Sequence, residues 1–266
     1  MNLREEVEKI KTQGYSEANA ESKLCQDIVL KALAESGMAR NATIKGGVVM
    51  RSLSKNARRA TQDIDLDFIR YSISDESIRQ FVKWLDCLDG LSIAMEGKIT
   101  ELNHQDYKGK RITITIKDSN DTVLSLKMDI GVHADLSLEQ EEYAFDIGFQ
   151  EDAVSLLINS KAQMITEKLK SFVRFASRST RYKDVFDICY LSDKVDKKQL
   201  RDSIDKYIIL DETLRNVETM EDVVKRVERA FSNKAYIDAV SKSGKNWLDI
   251  PVEEVLKKDL EFIKSI

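Results

Sequence analysis

Residues 149–243 contain neither glycine nor proline, and that run fixes the character of the second half of the chain. Tight turns need a residue that tolerates positive φ or one whose φ is preset. A long stretch with neither, rich in Lys, Glu, Leu and Asp, therefore favours helices. Apolar residues recur at three- and four-residue spacing over 152–177, 183–194, 197–209, 219–231 and 251–265, which predicts a helix on each. Pro251 suits the first turn of the last one. With 10 glycines and 1 proline in 266 residues, turn-dense all-β, collagen-like and linker-like architectures are excluded.

Nine of the ten glycines lie at or before Gly148, and there the pattern changes. Residues 3–12 and 16–36 read as helices, the second opened by Ser16 and closed by Gly37. Residues 42–45 and 63–69 read as strands, and 75–89 as a helix ending at Gly90. Clean alternation over 111–117, a turn at Ser119-Asn120-Asp121 and a second strand over 122–132 predict a hairpin. The class expected is α+β: a mixed β-sheet core flanked by helices over 1–150, followed by an all-helical domain over 151–266.

A net charge of −4 builds in no global attraction to nucleic acid or membrane, so such binding must come from local patches. Cys25, Cys87 and Cys189 are odd in number and far apart, which is neither a disulfide framework nor a zinc spacing. His104 and His133 add too little for a nitrogen–sulfur metal centre. The acidic N-terminus lacks the apolar run of a secretory leader, and no window approaches the ~20 apolar residues of a membrane span. A cytoplasmic protein is expected.

Three local features carry chemistry. Asp63, Asp65 and Asp67 alternate with Ile64, Leu66 and Phe68, so the acids share one face of a strand. Like charges at that spacing repel, and Asp is a poor strand former, so something must compensate. Hard oxygens at i and i+2 can hold a divalent cation; an exposed edge strand that uses acids against aggregation is the other reading. Ahead of them, Lys45-Gly46-Gly47 ends a strand and opens a short helix, a place where backbone N–H groups can approach a phosphate. Arg51, Lys55, Arg58 and Arg59 follow with no acid among them. On the second hairpin strand, Asp129 points to the face opposite Leu126, Met128 and Ile130, with Ser125 and Lys127, either as a third carboxylate or as a solvated side chain. Finally, residues 161–183 hold Lys161, Lys168, Lys170, Arg174, Arg178, Arg181 and Lys183 against Glu167 alone. That charge suits phosphates, RNA or an acidic partner, and Asp184 and Asp187 stand ready to pair with it.

Taken together, the glycine pair at Gly46-Gly47, the segment from Arg59 through Thr61 to Asp63 and Asp65, the later Asp129, Glu167-Lys168-Leu169, and Lys183-Asp184 with Asp187 resemble the AbiEii/AbiGii toxin family. Its members are nucleotidyltransferase-like toxins of bacterial type IV toxin–antitoxin and abortive-infection systems. The resemblance runs over roughly residues 40–192. It implies a DNA-polymerase-β-like nucleotidyltransferase core, with Asp63, Asp65 and Asp129 holding one or two Mg²⁺ ions. It further implies that Gly46 and Gly47 accommodate the triphosphate of an NTP and that Arg59 and Thr61 orient the acids or the phosphates. Lys168 would neutralise phosphate charge, and Asp184 matches the acid of a later element. The implied acceptor is RNA, foremost a tRNA 3′ end, and the implied partner is a cognate antitoxin. Two positions depart from the family pattern: Gly47-Val48 stands where many relatives have Gly-Ser, and Lys183-Asp184 where they have Arg-Asp. Transfer to a protein or small-molecule hydroxyl, and a catalytically silent nucleotide- or partner-binding relative, are the alternatives.

Overall fold

The computed structural model describes residues 1–102, 109–133 and 140–266. His104 lies outside them. The chain divides into two compact units, Met1–Asn159 and Ser160–Ile266.

The first unit begins with α1 (Leu3–Lys11) and α2 (Glu17–Glu35), followed by β1 (Ala42–Lys45), α3 (Gly46–Ser54) and a 3₁₀ turn over Ala57–Arg59. β2 (Asp63–Phe68), α4 (Asp75–Leu85), β3 (Leu91–Leu102), β4 (Gly109–Asp118), β5 (Val123–Val132), β6 (Glu141–Phe145) and β7 (Val154–Ile158) complete it. Among the described residues the strands form one seven-stranded sheet, ordered β3-β4-β5-β2-β1-β7-β6. β2 runs parallel to β5 and antiparallel to β1, and β7 runs parallel to β1.

The alternation in β2, β4 and β5 sorts the sheet into two faces. Ile64, Leu66, Phe68, Ile112, Ile114, Ile116, Leu126, Met128 and Ile130 are buried on one face. α2 packs on β2, β5 and β7, and α4 packs on β3 and α2. Each fully buried side chain of this size contributes about 1.5–3 kcal/mol, so this face holds the unit together. The other face carries the polar alternates: the acids of β2, Lys127 and Asp129 of β5, and Arg111 of β4.

β7 corrects one expectation. Residues 152–177 do not form a single helix: 154–158 pair into the sheet and the helix starts only at Lys161. A short apolar run fits either period, and here pairing with β1 decides it. A capping box at Ser160 and Gln163 then opens the helix.

The second unit is helical. It comprises α5 (Lys161–Phe175), α6 (Lys183–Leu191), α7 (Lys197–Ile204) running into a π turn over Asp205–Ile209, α8 (Met220–Phe231), α9 (Lys234–Lys242) and α10 (Val252–Lys264). α5 packs on α6, α7 and α8, and α10 on α6, α8 and α9. Phe172, Phe231 and Tyr236 meet edge-on and stacked inside it.

Candidate active site

β2 supplies the acids, and each is compensated in a different way. Asp63 accepts a hydrogen bond from the Thr61 hydroxyl at 2.6 Å. Asp67 faces Lys45 of β1 at 2.7 Å, with both side chains buried. That pair takes Asp67 out of the set available to a ligand. Asp65 lies against the first turn of α3, where the partial positive charge of a helix N-terminus favours a carboxylate.

The glycine pair explains how Asp65 gets there. Gly46 has φ +67°, a left-handed value that an L side chain rarely adopts, and a Cβ on it would sit 2.2 Å from Asp65 Oδ2. A Cβ on Gly47 would sit 2.5 Å from the Cβ of Thr61. Both glycines are therefore needed for the acids of β2 and the start of α3 to approach one another. Arg59, at the end of the 3₁₀ turn leading to Thr61, is 4% exposed.

Behind this strand lies a buried polar network that the sequence did not reveal. Gln26 of α2 donates to the backbone carbonyls of Thr61 at 3.0 Å and Asp63 at 2.9 Å. Its own carbonyl accepts from Arg51. Arg51 also donates to Asp27 at 3.2 Å, and Asp27 accepts from Lys23 and from the Gly148 N–H. Arg51 is thus buried and committed to α2, so it adds nothing to the open charge that the run from Arg51 to Arg59 suggests.

Asp129 is the third carboxylate. In the parallel register β2–β5 it lies directly beside Asp65, and across the antiparallel pair β4–β5 it lies beside Arg111. Arg111 grips it with both arms, Nε to Oδ1 at 2.6 Å and Nη2 to Oδ2 at 2.7 Å. The guanidinium is held above its already high range, first by this ion pair and then by the pull of Asp63 and Asp65. All three acids therefore act on one cationic group. Among the described residues no three His, Cys, Asp or Glu side chains form a ready metal cage. What the chain offers is an all-oxygen donor set, the chemistry that hard divalent cations take, with its third member held by a guanidinium.

In the helical unit, Lys168 is 5% exposed and its ammonium reaches Asp184 at 3.0 Å and Asp187 at 2.8 Å. Arg181 meets the other oxygen of Asp184 at 2.7 Å, and the Trp247 indole donates to Asp187 at 3.2 Å. Lys170 and Arg174 turn to Asp211, at 2.7 and 3.7 Å. Burial pushes the Asp211 carboxyl up, but hydrogen bonds from Lys170 and Thr213 outweigh it and bring it to about 2. Four of the basic side chains of 161–183 are therefore spent on ion pairs inside their own unit.

The structure thus gathers Gly46, Gly47, Thr61, Asp63, Asp65 and Asp129 within the first unit, and Lys168 with Asp184 within the second. Arg111 and Gln26 escaped the sequence. The only sign of Arg111 was a basic residue at the head of an alternating strand, and a cross-strand partner cannot be read from one strand's pattern.

A mixed sheet that shields one face with helices and presents strand carboxylates beside a glycine-led helix on the other has a nucleotidyltransferase-like fold. The chain belongs to the family described as nucleotidyl transferase AbiEii toxin of type IV toxin–antitoxin systems, whose model matches residues 28–256. The match reaches well beyond residues 40–192, into α2 and across the helical unit to α10. It makes the protein an enzyme that transfers nucleotidyl groups, with an NTP as donor. No curated protein matches the chain. No helix among the described residues is long and apolar enough to cross a membrane.

Proposed function

We propose that the protein is a Mg²⁺-dependent nucleotidyltransferase that acts as a toxin by adding a nucleotide to RNA, with a tRNA 3′ end as the favoured acceptor. A cognate antitoxin is the partner that the type IV system implies. The observation that carries the reading is the placing of Asp63, Asp65 and Asp129 on the polar face of the sheet, beside the start of α3 and all acting on Arg111. Asp63, Asp65 and Asp129 would hold the cation. When bound, it would supply charge stabilisation at the α-phosphate and make the attacking hydroxyl more acidic.

The chain's own contribution is position. Gln26 fixes the backbone from Thr61 to Asp63, Thr61 fixes the Asp63 carboxylate, and the glycine pair sets Asp65. The glycine pair lets Asp65 and Thr61 close on the start of α3, and the backbone N–H groups of that helix start are the place this reading assigns to the NTP phosphates. Asp129 can take the proton of the incoming hydroxyl through an oxygen lone pair. Lys168 on phosphate charge and Asp184 as the acid of a later element are roles that the motif resemblance implies. RNA as acceptor is what the family resemblance implies, and the exposed Lys127 on the same face as the acids offers charge for its backbone.

The test is an incubation with Mg²⁺, each labelled NTP in turn and total RNA. Label should enter RNA and be lost in Asp63→Ala and Asp65→Ala. Label in protein would move the reading to a protein acceptor, and no label with any NTP would overturn it.

A further inference from the structure

Of the carboxylates on this sheet face, Asp129 has a charged partner from a neighbouring strand. Asp67 has Lys45, and Lys127, opposite Asp63 in the register, is exposed to water. Arg111 is the cation in contact with Asp129, and Asp63 and Asp65 pull on it from further away. Its planar fork takes one lone pair from each oxygen of Asp129, the strongest geometry available to a carboxylate and a guanidinium. The Asp129 side chain is 7% exposed while that of Arg111 is 42% exposed. The carboxylate is therefore fixed in the fold, and the guanidinium has solvent to swing into.

We infer that Arg111 is a positioning residue of the three-carboxylate site: it is the resident counter-cation of Asp129, and a divalent cation must compete with it for that carboxylate. The inference rests on the divalent-cation reading above. With Arg111 in place, the charge of Asp129 is offset and its carboxylate is held still without metal. A divalent ion that binds Asp63, Asp65 and Asp129 meets a positive charge already on the third ligand, so its affinity is lowered. The residue thereby makes the loaded state conditional on cation concentration, and the cost falls on binding.

The experiment is calorimetric titration of the full chain with MnCl₂, with no nucleotide present. Arg111→Gln, which removes the charge from a half-exposed side chain, should bind Mn²⁺ more tightly than the parent by roughly tenfold. Arg111→Lys keeps the charge and should stay nearer the parent than Arg111→Gln does. In an Asp129→Asn background most of the gain should disappear, because the contested ligand is gone. Equal or weaker binding in Arg111→Gln, an undiminished gain beside Asp129→Asn, or Arg111→Lys binding as tightly as Arg111→Gln overturns the inference and leaves the cation reading standing. If neither the parent nor any variant binds Mn²⁺, both fall.

Discussion

At Gly47 a methyl group would lie 2.5 Å from the Cβ of Thr61 and 2.7 Å from its hydroxyl, so Gly47→Ala has to displace Thr61. That displacement breaks the 2.6 Å bond that aims Asp63. Overpacking at such a site costs about 1–3 kcal/mol, and a lower urea midpoint together with loss of nucleotidyl transfer is the expected outcome. The acids of β2 separate in the same way. Asp67→Asn leaves the Lys45 ammonium buried opposite a neutral amide, and breaking a buried pair costs about 3–5 kcal/mol. Asp63→Asn keeps an amide oxygen that can accept from Thr61 at a partly exposed position, so it should cost no more than about 1 kcal/mol, but it removes the charge and should abolish transfer. Urea midpoints that rank these two variants the other way would refute the assignment of Asp67 to the fold and Asp63 to the chemistry. Much of this was legible in the sequence, because face and spacing follow from the strand period. What separates Asp67 from its neighbours was not, since Lys45 reaches it only through the β1–β2 register.

Elements bring together what residue spacing cannot. The bond between Arg111 and Asp129 depends on the register of β4 and β5, and the nearness of Asp129 to Asp65 on a parallel pairing of distant strands. β7 was missed for a related reason: in residues 154–158 the apolar run is too short to declare its period, and its strand character comes from lying beside β1. In the helical unit, α5 carries Lys168 to two acids on successive turns of α6. Lys168→Met keeps the length of the side chain and removes its charge, leaving Asp184 with Arg181 and Asp187 with the Trp247 indole. Loss of a buried ion pair predicts destabilisation by about 3–5 kcal/mol, read as a fall in the urea midpoint. A variant with an unchanged midpoint and abolished transfer would place the ammonium on phosphate instead.

In the helical unit, two aspartates pull the pH dependence of stability in opposite directions. Asp211 is lowered from 3.8 to about 2, so the unfolded chain binds its proton more readily than the folded one. Its contribution to stability is present above 3.8 and is lost as pH falls toward about 2. Asp259 does the reverse. It lies on the apolar stripe of α10 with Val255, Leu256, Phe262 and Ile263, is fully buried, and has no hydrogen-bond partner for either oxygen among the described residues. Burial raises its carboxyl well above 3.8, against a smaller opposing pull from Lys258. The folded state therefore holds this proton more tightly, and stability is full below 3.8 and declines as pH rises toward the folded value. Asp259→Asn keeps the shape and cannot ionise, so it should match the parent near the acid end and exceed it at neutral and alkaline pH. Urea unfolding from about pH 5 to about pH 8 checks the sign, because a gap between variant and parent that fails to widen would mean that the buried carboxyl is not held neutral.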